Sequence, residues 1–195
     1  MTDLLAEMGS AARDVRQVHL DRLRGLGVPI SWLADAFWHE PYPEIGLGPA
    51  PLPPFGVSCC ESVGGGLYQP GEGPLHVLLP VVEDGALVDL CAFRSADPGN
   101  WLLRVGNGWA LGMDLGLSPH LWGPVHVFSD PLDWLRGCGE GVAVLDWDSP
   151  EIRRQLDAVP EVVCSTPAVA SVLTRALTRP VRIPKISIKE ARNVA

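Results

Sequence analysis

Residues 125–177 read VHVFSDPLDWLRGCGEGVAVLDWDSPEIRRQLDAVPEVVCSTPAVASVLTRAL, and this stretch decides the fold class. Short apolar runs of strand length alternate in it with amphipathic runs, and a proline lies near the start of each amphipathic run beside a residue that can cap a helix. This alternation predicts parallel βαβ units. The predicted pairs are Val125–Phe128 with Pro131–Arg136, Val142–Leu145 with Ser149–Leu156, and Glu161–Cys164 with Pro167–Leu177, capped by Asp130, Ser149 and Thr166.

The stretch before this repeat, from Phe55 to about Trp109, has the pattern of antiparallel strands. Glu83-Asp84-Gly85 separates two apolar runs, and Asp-Gly in that position is a strong hairpin signal. The Asp-Pro-Gly-Asn sequence of Asp97–Asn100 predicts a further turn. We therefore expect an antiparallel meander with the strands Phe55–Glu61, Leu75–Val82, Ala86–Arg94 and Trp101–Val105.

The two ends of the chain complete the predicted architecture. Apolar residues recur at steps of three and four over residues 3–24 and predict one amphipathic helix, followed by a short helix over Trp32–Trp38. Residues 39–54 contain six prolines and predict an extended connector. Near the C-terminus, Arg182–Lys189 has the alternation of an edge strand.

These signals predict an α/β chain, α+β overall, that forms one compact unit with three regions. Residues 1–54 hold the N-terminal helices and the proline-rich connector. Residues 55–124 hold the antiparallel strands. Residues 125–195 hold a small parallel βαβ sheet and a basic C-terminal tail.

Composition limits the compartment and the partners. The chain has five cysteines, an odd number without a Cys-x-x-Cys motif, which favours a reducing compartment and a cytoplasmic location. It has no apolar leader and no run near the roughly 20 residues of a membrane span, so we expect no membrane partner.

The charge distribution leaves one candidate surface for nucleic acid. The net charge is −8, and no Lys or Arg lies between Gly25 and Phe93. Because nucleic-acid binding needs positive charge near phosphate, only the tail is a candidate, and an ordinary solvated edge is the alternative. The candidate nucleic-acid contacts are Arg182, Lys185, Lys189 and Arg192.

Several common catalytic motifs are absent from the sequence. It contains no Gly-x-x-x-x-Gly-Lys and no Gly-x-Ser-x-Gly, which excludes a P-loop and the hydrolase nucleophile elbow. The five histidines are widely separated and form no metal-binding motif.

Residues 125–177 resemble the toprim domain of phage and bacterial replicative DNA primases. The preceding Leu75–Arg104 resembles the strand-rich region before toprim in phage primases, with LLPVVEDGALV at Leu78–Val88 as the nearest counterpart. Toprim chemistry uses a Glu-Gly-x-x-Asp motif after the first strand and a later Asp-x-Asp, whose acids hold Mg²⁺. The resemblance implies the fold and an origin in a phage or another mobile element.

The sequence departs from the toprim motifs at the catalytic glutamate. Ser129 stands in the place of that glutamate, Asp130 in the place of the glycine, and Asp133 matches the last motif residue. Asp146-Trp147-Asp148 spells Asp-x-Asp, but it follows the second predicted strand, whereas the family motif follows the third. Either one unit is missing or this match is coincidental.

Three functions follow from these observations. We favour a non-catalytic toprim-like protein without a cofactor that binds a replication protein or another protein partner, with the tail as an accessory nucleic-acid contact. The second hypothesis is a Mg²⁺-dependent nucleotidyl-transfer or phosphodiester enzyme with a rearranged site, in which Asp146 and Asp148 hold the metal. The third is an interaction protein with no link to nucleic acid. The catalytic candidates of the second hypothesis are Asp130, Asp133, Asp146 and Asp148.

Overall fold

A computed structural model describes residues 3–33, 52–113, 123–157 and 159–179, and in this part of the chain it contains two four-stranded sheets. The first sheet is antiparallel in the order β1-β2-β3-β4, and the second is a smaller mixed sheet. The predicted α+β class is therefore confirmed. The strands of the first sheet are β1 (Gly56–Gly64), β2 (Leu67–Glu83), β3 (Ala86–Arg94) and β4 (Asp97–Leu103).

The predicted Asp-Gly hairpin is confirmed, and the turn predicted at Asp97–Asn100 is wrong. Asp84 and Gly85 have φ values of 49° and 75°, as a two-residue hairpin turn with left-handed central residues requires. The next turn lies at residues 95–96, because Arg94 pairs with Asp97. Pro98 is tolerated inside β4 because this strand lies at the edge of the sheet.

Strand β2 begins eight residues earlier than the apolar pattern predicts. Its first half, Leu67–Pro74, is largely exposed, polar and rich in glycine and proline, so it lacks the alternation by which strands are recognised. It pairs with the second half of β1 as an exposed ribbon. At the start of β2, Leu67 also pairs with Leu103 of β4, so the sheet curls back on itself.

The mixed sheet confirms the predicted parallel strands and adds one antiparallel strand. Its order is β5-β7-β6-β8, in which β6 is parallel to both β7 and β8, and β5 is antiparallel to β7. Its strands are β5 (Ala110–Leu111), β6 (Val125–Phe128), β7 (Val142–Val144) and β8 (Val162–Cys164). The chain moves from the central strand β6 to β7 on one side and then crosses back past β6 to β8 on the other side.

The helix predicted over residues 3–24 is two helices, α1 (Leu4–Arg13) and α2 (Gln17–Gly25). Arg16 is extended at the N-cap of α2, with φ −126° and ψ 164°, and its backbone N–H donates to Nδ1 of His19 at 3.0 Å. Val15 nevertheless packs against the core. The apolar periodicity therefore continues across the break and hides it.

The helices after the parallel strands are α3 (Pro131–Arg136), α4 (Glu151–Leu156) and α5 (Pro167–Thr178). Asp130 and Thr166 cap α3 and α5 as predicted. Helix α4 begins after the predicted position with Pro150 at its N-cap, although the Ser149 hydroxyl still accepts the Glu151 N–H at 3.3 Å. Residues 30–33 are helical, whereas the rest of the predicted Trp32–Trp38 helix, most of the connector and the C-terminal tail lie outside the described residues.

The largest core cluster lies between the two sheets. It includes the buried residues Leu79 and Phe93 of the first sheet, Ala143 of the second, and Leu135 of α3. The tryptophans reinforce this junction, since the Trp101 indole N–H donates to the Leu145 carbonyl oxygen at 3.1 Å. The described residues contain no helix that is long and apolar enough to cross a membrane.

Candidate functional site

The two acidic candidates that follow β6 are held by neighbouring residues. The Asp130 carboxylate accepts the backbone N–H groups of Leu132 and Asp133 at 3.0 and 2.9 Å, so it caps α3. Asp133 forms an ion pair with Arg136 at 2.8 Å. The Ser129 hydroxyl lies within hydrogen-bond distance of both carboxylates. These bonds give both acids a structural role.

The two acidic candidates that follow β7 also have partners. Asp146 accepts the backbone N–H of Asp148 at 2.9 Å, and the Asp148 carboxylate forms an ion pair with Arg179 at 2.7 Å. Among the described residues, no three His, Cys, Asp or Glu side chains are placed to hold a common metal ion. The tail candidates Arg182, Lys185, Lys189 and Arg192 lie outside the described part of the chain.

A different set of residues forms a cavity of about 220 Å³, which we call the basic pocket. It lies between α2 and the segments of β1, β2 and β3 that meet below this helix. Its polar lining residues are His19 and Arg22 of α2, His76 of β2, Arg94 of β3, and Ser95 of the turn that follows. The segments that supply them are far apart in the chain and meet only in the fold.

The two arginines give the pocket its charge. The Arg22 Nε donates to the Ser95 hydroxyl at 2.6 Å, which fixes the guanidinium against the turn. Neither Arg22 nor Arg94 forms an ion pair with a described residue, and no Asp or Glu occurs among the described residues that line the cavity. The pocket is therefore locally cationic in a chain whose net charge is −8.

Backbone partners determine which nitrogen of each histidine carries the proton. Nδ1 of His19 accepts the Arg16 N–H, so the proton of the neutral ring is on Nε2. Nδ1 of His76 lies 2.7 Å from the Pro74 carbonyl oxygen, which can only accept, so this nitrogen carries the proton and Nε2 has a lone pair. Neutral His19 thus offers a donor, and neutral His76 offers an acceptor.

Burial changes the titration of His76. The residue is 5% exposed, and burial lowers its pKa from the usual 6.5. The hydrogen bond to Pro74 acts in the opposite direction, and the nearby charge of Arg94 lowers the pKa further. An empty pocket therefore favours neutral His76, whereas an anion beside it would favour the imidazolium.

No family model, curated protein or solved structure matches this chain. Its function must therefore be inferred from its own residues.

No residue of the basic pocket was predicted from the sequence. One signal was present: the long segment without basic residues is bracketed by arginines, with Arg22 and Arg24 before it and Arg94 after it. The pattern cannot show that Arg22 and Arg94 meet, because their approach depends on how α2 packs across the sheet.

Two buried polar networks outside the pocket have structural roles. The fully buried Asp89 carboxylate accepts five backbone N–H groups, and four of these come from the loop of residues 104–108. Glu7 of α1 accepts the Tyr68 hydroxyl at 3.0 Å and forms an ion pair with Arg104 at 2.8 Å. These networks attach the loop and α1 to the first sheet.

Proposed function

We propose that the protein acts by binding rather than by catalysis, and that the basic pocket holds an anionic group of its ligand. The observation that carries the proposal is the convergence of Arg22, Arg94 and two histidines in one cavity, with no carboxylate among the described residues that line it. Arginine binds carboxylates and phosphates through paired hydrogen bonds. An anion would therefore compensate the mutual repulsion of the two guanidinium groups.

The acidic candidates support a non-catalytic function. Ser129 stands where the toprim motif has glutamate. Asp130 caps α3 by accepting a backbone N–H, and Asp133 forms an ion pair with Arg136. The derivation from a toprim-like ancestor remains part of the proposal, and it is supported by three parallel strands that are each followed by a helix. Binding to a replication protein or to another protein partner remains a separate proposal.

Calorimetric titration with inorganic phosphate tests the anion site. We expect saturable binding with one site per chain, and a loss of affinity of at least about tenfold in the double variant R22Q/R94Q, because charge-assisted hydrogen bonds are lost. The matched control is R24Q/R153Q, which removes the same charge from two exposed arginines outside the pocket. Equal loss in both double variants, or no binding of phosphate, sulfate or pyrophosphate to the wild type, would contradict the proposal.

The metal-dependent enzyme remains a second candidate because of one observation. Strands β6 and β7 are adjacent and parallel, so the acids that follow them lie at the same edge of the sheet, where open α/β sheets usually bind ligands. Calorimetric titration with Mg²⁺ and Mn²⁺ tests this candidate. Saturable binding that D146N/D148N abolishes would support it, and the absence of binding at millimolar metal would exclude it.

A further inference from the structure

We infer that the ligand of the basic pocket is a small phosphate monoester with an apolar body, such as an aryl or alkyl phosphate. This inference rests on the proposed anion site and identifies the class of molecule that would fill it. Three features of the cavity carry it: the apolar part of its wall, the exposed side chains at its mouth, and the fixed protons of its histidines.

Part of the wall of the pocket is apolar. Leu23, Val57 and Val77 are buried core residues that also line the cavity, and Leu75 lines it as well. The cavity volume of about 220 Å³ is several times the share of one water molecule in the liquid, about 30 Å³. A bare oxyanion held by the arginines would leave this apolar wall covered by water. A ligand with an apolar body would cover it.

One exposed apolar side chain extends this wall to the surface, and a second lies beside Arg22 on α2. Leu75 is 50% exposed and lines the pocket. Val18 is 65% exposed and precedes Arg22 by four residues on α2, so both lie on the same face of the helix. They are two of the five large hydrophobic side chains that are exposed in the described part of the chain. The mouth of the pocket thus combines positive charge with apolar surface.

The histidines favour a phosphate monoester over a carboxylate. A carboxylate can only accept hydrogen bonds, so Nε2 of His76 could donate to it only after the ring takes a proton from solvent, which burial disfavours. A phosphate monoester has its second pKa near about 6, so near neutral pH it can carry one proton. That proton can be shared with Nε2 of His76 while the other phosphate oxygens accept from His19 and the arginines.

Calorimetry with three probes tests this inference on the wild-type protein. The probes are phenyl phosphate, inorganic phosphate, which lacks the apolar body, and benzoate, which lacks the transferable proton. We expect phenyl phosphate to bind at least about tenfold more tightly than either of the others, because only it covers the apolar wall and satisfies His76. Equal affinities for phosphate and phenyl phosphate would overturn the inference and leave the anion site standing. Failure of all three would overturn both.

The variant Leu75→Ser tests the apolar contact directly. We expect it to weaken phenyl phosphate severalfold and to leave inorganic phosphate unchanged. Val63→Ser is the matched control, because Val63 is a similarly exposed apolar residue of β1, 54% exposed, that does not line the pocket. Equal effects of the two substitutions would contradict the inference. A phosphotyrosine peptide that binds far more tightly than phenyl phosphate would also overturn it, in favour of a protein ligand.

Discussion

Asp89 illustrates how one residue determines the path of a loop. Its carboxylate is fully buried in β3, and its two oxygens lie 2.7–3.1 Å from five backbone nitrogens. Buried N–H groups need acceptors, and this single side chain supplies them for most of the segment from Arg104 to Gly108. The glycine-rich loop is thus shaped by this carboxylate.

We expect Asp89→Asn to destabilise the protein by about 3 kcal/mol or more, because an amide NH₂ would face backbone donors and leave some of them unsatisfied. Urea unfolding measures this change. Asp157→Asn is the control, since Asp157 is exposed at the end of α4. A difference between the two variants of less than about 1 kcal/mol would show that the network matters little.

His76 makes stability depend on pH. Because its pKa is lowered in the folded protein, the unfolded chain binds more protons near that pKa. The contribution of His76 to stability is fully present above pH 6.5, the usual pKa of histidine. It is lost as the pH falls below that value and through the lowered pKa of the folded state. Urea unfolding of the wild type and of His76→Asn, between about pH 5 and pH 8, measures this dependence.

We expect the stability of the wild type to fall more steeply with acidification than that of His76→Asn. The amide of asparagine can still donate to Pro74 but does not titrate. The other titratable or charged side chains that line the pocket are those of His19, Arg22 and Arg94. Identical pH dependence in the two proteins would contradict this prediction.

At the scale of elements, the clearest agreement between pattern and structure is α3. Proline at its first position and Asp130 at its cap predicted its start from local chemistry alone, and the structure has the helix over the predicted range. The failure at α1 and α2 has an equally local cause, because Val15 keeps its place in the apolar period while Arg16 interrupts the helix. Periodicity reports which face is buried, and it does not report whether the helix is continuous.

The cap of α3 also distinguishes a structural aspartate from a metal ligand. We expect Asp130→Ala to destabilise the protein by about 1 kcal/mol and Asp130→Asn to have little effect, because asparagine also accepts from the backbone N–H groups. Chemical denaturation measures both variants. Comparable destabilisation by asparagine and alanine would indicate that the charge of Asp130, and not its capping bond, is what matters.

At the scale of the whole molecule, one core connects the two sheets. Leu135 of α3 is fully buried in the cluster that also contains Leu79, Phe93 and Ala143. A hydrogen bond reinforces this connection, since the backbone N–H of Trp109, next to β5, donates to the Glu83 carboxylate of β2 at 3.4 Å. Each sheet also has a core cluster of its own, which includes Tyr68 and Leu90 in the first and Val127 in the second. Unfolding of either sheet would nevertheless expose the shared cluster of the other to water.

We therefore expect Leu135→Ala to cost about 2–5 kcal/mol and to shift a single unfolding transition rather than to create a second one. Far-ultraviolet circular dichroism and tryptophan fluorescence should report the same midpoint, because Trp101 and Trp109 both donate hydrogen bonds across the junction of the sheets. Two separated midpoints would show that the sheets unfold independently.

The pattern of apolar and turn residues was sufficient to predict most strands and the mixed class. The strand Ala86–Arg94, the Asp84-Gly85 turn and the parallel strand–helix units follow from alternation, left-handed turn residues and capping, which are local properties of the chain. The ribbon of Leu67–Pro74 was missed because its exposed residues carry no such pattern. The extra strand β5 has two residues, which is too short for any period to appear.

By itself, the sequence determined the fold class and the start of α3. Only the tertiary structure decided where charge accumulates. Arg22 and Arg94 meet because α2 packs over the sheet, and four backbone groups gather on Asp89 because a distant loop folds onto β3. Backbone propensity acts between neighbours in the chain, whereas a binding site depends on side chains that packing brings together from separate elements.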